Sequence, residues 1–262
     1  MPARRFTKQT KRRALAAGCA AVAAMATAAA GAAVPTGSAG AAAKAADAAS
    51  RQVRLHRAAS ATSTNWAGYT ASGGGWTQVS AGWRQPAARC SAGDGVSSFW
   101  VGLDGVSSGT VEQIGTDTDC AAGLPSVYGW YELYPGPPVD FAAPVRAGDH
   151  MWASVTAGAG RSFTLRLVDI TRGWSRTEHR RLGAARLSSA EVIAEAPSSS
   201  SGSVQPLADF GAVTFLGATA DGRSLGSAGP QRLTMASRGG TVKARTSPLD
   251  GGRQFTVTWY HH

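Results

Sequence analysis

The residue types that are scarce in this chain narrow its chemistry first. Among 262 residues there are five histidines, three cysteines and a single asparagine, Asn65. No Ser-x-x-Lys, His-Glu-x-x-His, Asp-Thr-Gly or Asp-Ser-Gly string occurs. These absences remove serine–lysine hydrolases, zinc-helix peptidases and the paired-aspartate peptidases. A nucleophile elbow, which needs a strand turning into a helix, is not expected, because no long run repeats at helical spacing beyond the first 33 residues. His56, His150 and His179 stand alone, and His261 and His262 end the chain, so neither a metal centre nor any other cofactor is expected. A hydrolase built from this sequence would have to work with carboxylates and amides.

The formal charge of +10 suggests a nucleic-acid partner until it is divided along the chain. Of 26 basic and 16 acidic residues, ten and one precede position 61, leaving 16 and 15 in the remainder. No broad basic field is left for phosphate, and no nucleic-acid partner is expected. One cluster between positions 172 and 186 remains, read as a solvated strand or loop face rather than a site for an acidic partner. Residues 1–33 read as an export signal: a basic stretch ending at Arg13, then an Ala-rich stretch with small residues suited to cleavage near Ala30 or Ala33. Leu15 is the only leucine there, too little apolar character for a stable membrane anchor, and Cys19 reads as incidental. Residues 34–60, rich in Ala, Gly and Ser, read as a linker or short pro-segment.

An exported chain leaves Cys90 and Cys120 in an oxidising compartment, where a disulfide is expected and a pair of free buried thiols is the alternative. The body, residues 61–262, alternates with period two: Phe163, Leu165 and Leu167 in one run, Phe255, Val257 and Trp259 in another. Clusters such as Gly73-Gly-Gly75, Pro135-Gly-Pro-Pro138 and Asp250-Gly-Gly252 punctuate these runs. Half-buried strands separated by turns at this density predict a single all-β domain, an antiparallel sandwich or barrel, with no internal repeat.

Several segments then occur in a telling order: Asn65-Trp-Ala-Gly-Tyr69, Trp76 to Pro86, Phe99-Trp-Val-Gly-Leu-Asp-Gly105, Val111-Glu-Gln-Ile-Gly115, Trp130-Tyr-Glu-Leu-Tyr-Pro135, Ala190-Glu-Val-Ile-Ala-Glu195 and Leu207-Ala-Asp-Phe210. In order and approximate spacing they resemble the glutamic peptidases (eqolisins), and the likeness is to a secreted, bacterial member. The resemblance implies a β-sandwich of two large antiparallel, lectin-like sheets and a secreted acid endopeptidase that acts on polypeptides without a cofactor, as a monomer. It also implies that Gln113 and Glu195 form the catalytic pair. In a strand, Glu191, Ile193 and Glu195 share one face, as do Val111, Gln113 and Gly115, so the pair meets if both strands lie in one sheet. Glu195 would be general base and then acid, and the Gln113 amide would position water and stabilise the oxyanion. A carboxylate base remains partly ionised where histidine is protonated, so activity on the acid side of neutrality is expected.

Asn65, Trp66, Trp100, Asp104, Trp130 and Glu132 are further candidates for substrate binding or for support of the pair. Each has a plainer reading: Asp104 as a turn aspartate before Gly105, Glu132 as a paired carboxylate, the tryptophans as core. Glu191 has no assigned role. Val192, Leu133 and Ala196 depart from the family pattern, which carries larger or acidic residues there, and are expected to alter a subsite or the support of the pair. Subsite preference is expected to depend on loops 88–96 and 198–204. Two other classes stand beside this one: a carbohydrate-binding or glycoside-cleaving sandwich, which would need a second carboxylate where Gln113 stands, and a secreted binding module with a degraded site.

Overall fold

The computed structural model describes residues 60–199 and 202–262. The leader with Cys19, and all of the linker except Ser60, lie outside the described residues. The period-two runs form strands packed in two layers. In spatial order the first layer holds β10 (Trp174–Arg181), β9 (Ser162–Asp169), β8 (His150–Gly158), β3 (Gln78–Arg84), β12 (Ala212–Ala220) and β16 (Phe255–Trp259). The second holds β14 (Gln231–Ala236), β2 (Trp66–Ser72), β11 (Ser189–Glu195), β4 (Gly95–Asp104), β5 (Val111–Ala121), β6 (Leu124–Tyr134) and β7 (Val139–Pro144). β15 (Val242–Thr246) pairs with β14 on one side and β16 on the other, so the two antiparallel sheets are continuous along one edge. β1 (Ser60–Ser63) adds to β14 in parallel, and β13 (Arg223–Ser224) adds to β12.

Alternation decides which side chains fill the space between the layers. Phe99, Val101 and Leu103 of β4, with Ala190, Val192 and Ala194 of β11, face Trp83 of β3, Met151 and Val155 of β8, and Phe163 and Leu165 of β9. At roughly 1.5–3 kcal/mol for each large apolar side chain taken from water, these inner faces drive the collapse. On β9 the opposite face is wetter and the pattern alternates cleanly. β10 closes that edge with exposed Arg176 and Arg181 and a half-exposed Arg180 paired to Glu178, a charged rim that discourages strand addition. Together with Arg172, which pairs with Asp149, it makes the cluster after position 172 largely a solvated strand face.

The second layer breaks the half-buried rule. Every residue of β4 and β11 is buried, because a second apolar cluster, Trp66, Trp100, Val106, Val111, Trp130, Ile193 and Leu233, covers the outer face as well. Polar residues on that face are therefore enclosed. Val192 and Ala196 belong to the inter-layer core and Leu133 packs against it, so these departures from the family pattern bear on packing rather than on a subsite.

Cys90 and Cys120 form a disulfide across a separation of 30 residues, joining the end of β5 to the turn before β4. Replacing Cys120 by Ser is expected to lower unfolding free energy by about 2–4 kcal/mol, the range for closing a loop of this length. Urea unfolding of the two proteins at one pH measures it, and an unchanged midpoint would show that the loop is restrained by other contacts.

Candidate active site

Cross-strand register assembles the outer face of the second layer into rows. Glu195 lies opposite Ser98, which lies opposite Asp117. The next row runs Ile193, Trp100, Gly115, Trp130, and the next Glu191, Gly102, Gln113, Glu132. Glu195 and Gln113 thus project from one face of one sheet, with β4 between them. The two glycines decide what fills that gap. A Cβ on Gly115 would sit 2.6 Å from the Trp100 Cβ, and one on Gly102 would sit 2.9 Å from its ring, so the bare backbone at both positions makes room for Trp100. The Trp100 indole then reaches the carboxylate: Nε1 donates to Glu195 Oε2 at 2.8 Å.

Asn65 completes the grip, its Nδ2 donating to Glu195 Oε1 at 2.9 Å. A turn places it there: the Ser63 hydroxyl accepts the N–H of Trp66 and donates to Asn65 Oδ1. Trp66 stacks edge-on against Trp100 with ring centroids 5.1 Å apart. Burial raises the Glu195 carboxyl to about 7, against the opposing pull of Trp66, Trp100 and Asn65. Of these, the Trp66 N–H favours the ionised form without reaching hydrogen-bond geometry.

Gln113 Nε2 donates to Glu132 Oε2, while Gln113 Oε1 and Glu132 Oε1 are buried without partners. Burial pushes the Glu132 carboxyl up to about 8; the Gln113 amide opposes the rise, and the charges of Glu195 and Asp117 add to it. An amide and a carboxyl can satisfy this contact in two ways. Nε2 donates to an ionised carboxylate, or the amide turns over and its oxygen accepts the O–H of a neutral acid. The second arrangement leaves the amide N–H groups free to face a substrate.

Asp117 continues the row pattern two residues beyond Gly115 and was not singled out in the sequence, although alternation from Gln113 points to it. It accepts hydrogen bonds from Ser98 Oγ and from Trp130 Nε1, the latter at 2.6 Å. Burial raises its carboxyl well above the ordinary aspartate range. Ser98, Asp117, Tyr128, Trp130, Glu195 and Ser198 line a small cavity. Trp66, Trp100, Trp130, Asn65 and Glu132 are therefore gathered around Glu195 and Gln113.

Asp104 is not among them. Its carboxylate accepts the N–H groups of Arg186, Leu187 and Ser188 and the Ser188 hydroxyl, pinning the segment that enters β11. Burial opposes ionisation, yet these donors outweigh it and hold the carboxyl below its ordinary range. Its geometry is that of the turn aspartate. Beside it, Glu112 and Glu191 are fully buried with no oxygen in a good hydrogen bond. Burial, with the Asp104 charge added, lifts Glu112 to about 9 and Glu191 well above the usual carboxylate range. Glu112 therefore stays neutral under acid and neutral conditions. Ser107 and Ser224 lie in Gly-x-Ser-x-Gly spellings, but neither leads into an α-helix, so no nucleophile elbow forms among the described residues.

A two-layer β-sandwich with carboxyls and an amide gathered on one enclosed face defines a hydrolase that works without a serine elbow. Comparison with known proteins gives the particular family. Residues 64–259 match the Peptidase A4 family. The chain is 30% identical over 223 residues to Aspergillopepsin-2 of Aspergillus niger, covering 75% of this chain and 78% of that protein. Its fold superposes on scytalido-glutamic peptidase with a peptide-based transition-state analogue, with a TM-score of 0.65, 26% identity, and coverage of 75% and 98% of the two chains. Aspergilloglutamic peptidase from Aspergillus niger gives a TM-score of 0.56 at 30% identity, covering 63% and 99%. The chain belongs to the Peptidase A4 family, the glutamic peptidases, and is an endopeptidase acting on polypeptides. Membership places the chain among peptidases rather than glycoside-cleaving sandwiches.

The buried neutral acids make stability depend on pH. Glu112 has a folded-state value near 9 against an ordinary 4.5, so its contribution is complete below about 4.5 and is lost as pH rises through 9. The urea midpoint is expected to be higher at pH 4.5 than at pH 8.5, and Glu112→Gln is expected to flatten that difference. A midpoint that rises with pH would contradict it.

Proposed function

We propose that Glu195 and Gln113 are the catalytic pair of this endopeptidase. The observation that carries the reading is the grip of Asn65 and Trp100 on the Glu195 carboxylate, on the same sheet face as Gln113. Ionised Glu195 takes a proton from water as the water oxygen attacks the scissile carbonyl carbon. The carbonyl π electrons move to oxygen, and the Gln113 N–H groups donate to that oxyanion. Collapse of the intermediate breaks the C–N bond, and Glu195 returns its proton to the leaving amine. Trp66 and Trp100 shield the carboxylate from bulk solvent while leaving it open to the attacking water, and the cavity beside Asp117 and Trp130 receives a substrate side chain.

Glu132 acts as a positioning residue in this mechanism. Neutral, it donates its O–H to Gln113 Oε1 and turns the amide N–H groups toward the substrate. The active form is therefore the one in which Glu195 and Glu132 carry a single proton between them. Because burial raises both groups, the profile rises at higher pH than an unperturbed glutamate near 4.3 would give. Activity is expected around neutrality, between the rise through Glu195 at about 7 and the fall through Glu132 at about 8, less acid than the family resemblance alone implied.

Export accompanies this reading. Residues 1–33 act as a signal peptide and 34–60 as a linker or pro-segment, ahead of a monomeric secreted domain from position 61. The leader composition and the disulfide support it. No helix among the described residues is long and apolar enough to cross a membrane.

Cleavage of a denatured protein substrate from pH 3 to 9 is the test. Glu195→Gln is expected to lower kcat by about 10²–10⁴-fold and Gln113→Ala by about 10²–10³-fold. Glu132→Leu is expected to cost on the order of 10²-fold through misplacement of the amide. Glu132→Gln, whose amide still donates to Gln113, should retain activity and lose the falling alkaline flank. Full turnover by Glu195→Gln, or a rate still rising at pH 9 in the unaltered protein, would refute the pairing.

A further inference from the structure

Lys243 is a buried cation that nothing above uses. It lies on β15 and is 7% exposed. Burial alone lowers its ammonium below the usual lysine range, with no neighbouring acid contributing. Among the described residues no carboxylate pairs with it. A lysine whose stem is buried and whose ammonium has no carboxylate partner presents its charge to whatever enters the pocket.

The surroundings are built around that charge. Lys243 stands in an open pocket of about 820 Å³ that also contains Arg238, His262, Thr64 and Ser203, and no Asp or Glu lines it. Arg238 comes from the turn between β14 and β15, held by the Ser237 hydroxyl accepting the Thr241 N–H. His262 arrives because the N–H groups of Tyr260 and His261 both donate to the Lys243 carbonyl, drawing the chain end along β15. Three cationic or protonatable side chains from separate segments thus face one space.

Chain neighbours connect the pocket's lining to the candidate active site. Thr64 on one wall is followed by Asn65, which holds Glu195. Val204 on the other is followed by Gln205, which lines the cavity containing Glu195 and Asp117. Ser198, which lines the catalytic cavity, is bridged to Val204, which lines this pocket, so the two linings meet there.

We propose that the Lys243 pocket is a subsite for a carboxylate of the polypeptide substrate, supplied by an acidic side chain or by a free C-terminus. The carboxylate oxygens accept from the Lys243 ammonium and the Arg238 guanidinium, in charge-assisted bonds made stronger by enclosure. Carboxyls line the neighbouring cavity and basic side chains line this pocket, so a bound chain meets two chemically different spaces. The proposal rests on the catalytic reading for its place in the cleft, but binding can be measured without turnover.

The test is calorimetric titration of the Glu195→Gln protein at pH 6 with octapeptides differing at one position, Glu, Gln or Lys, scanned along the sequence. Each peptide is made with a free and with an amidated C-terminus. At one position, or at the free terminus, the carboxylate is expected to bind about tenfold more tightly than its neutral counterpart, the scale of one charge-assisted contact. The two series separate the side chain from the terminus as its source. Lys243→Met should erase that advantage, and Arg238→Gln, at an exposed turn that tolerates change, should reduce it. Equal affinity for the Glu, Gln and Lys peptides and for both termini, or an advantage that survives both substitutions, would overturn the proposal. So would stabilisation by chloride or phosphate alone with no peptide preference. Loss of cleavage in the unaltered protein alongside an intact binding preference would refute the catalytic pairing and leave the subsite standing.

Discussion

The hydrogen bond from the Trp100 indole to Glu195 is the contact on which the site's geometry turns. A carboxylate enclosed by aromatic rings is driven toward its neutral form, and a base must nevertheless ionise. The indole N–H and the Asn65 amide lower that penalty without bringing in water or a titrating cation. Much else follows from placing the indole. Gly102 and Gly115 are bare because the ring and its Cβ occupy the space where their side chains would be. Trp66 packs edge-on to keep the ring upright, and the turn at Ser63 brings Asn65 to the other oxygen.

Enclosure on both faces of the second layer explains why this domain carries so many perturbed acids. Two opposite solutions occur a few residues apart. Asp104 remains ionised because four donors from the 186–188 segment converge on it, and it organises the entrance to β11. Glu112 and Glu191 receive no comparable donors and remain neutral. The same logic extends into the cavity, where burial raises the Asp117 and Glu132 carboxyls beside Glu195. Proton affinity, more than any fixed ion pair, links the fold to the chemistry.

Charge is also distributed unevenly around the cleft. The side bounded by β4, β5 and β6 carries acids, whereas the side bounded by β15 and the chain end carries Lys243, Arg238 and His262. A polypeptide laid across such a field has a preferred direction, which a symmetric apolar groove would not impose.

Alternation along the chain was enough to establish an all-β domain and to show that Glu191, Ile193 and Glu195 share a face of their strand, as Val111, Gln113 and Gly115 do of theirs. These follow from the backbone itself, since side chains in a strand must point alternately to either side. The ordered motifs pointed to the family, and the two-layer fold agrees with them. Sequence spacing did not reveal that β4 runs between β5 and β11, because strand neighbours are chosen by long-range pairing. Asp117 and Ser98 escaped notice for the same reason, being meaningful only beside Trp130 and Glu195. Asp104 had two readings that only its donors separated. Lys243 lay in an unremarkable stretch, Val242-Lys-Ala-Arg245, and became notable once the fold buried it with no anion at hand. Local pattern fixes the facing of a side chain, whereas its neighbours, and hence its protonation and its chemistry, are decided by which distant strands close around it.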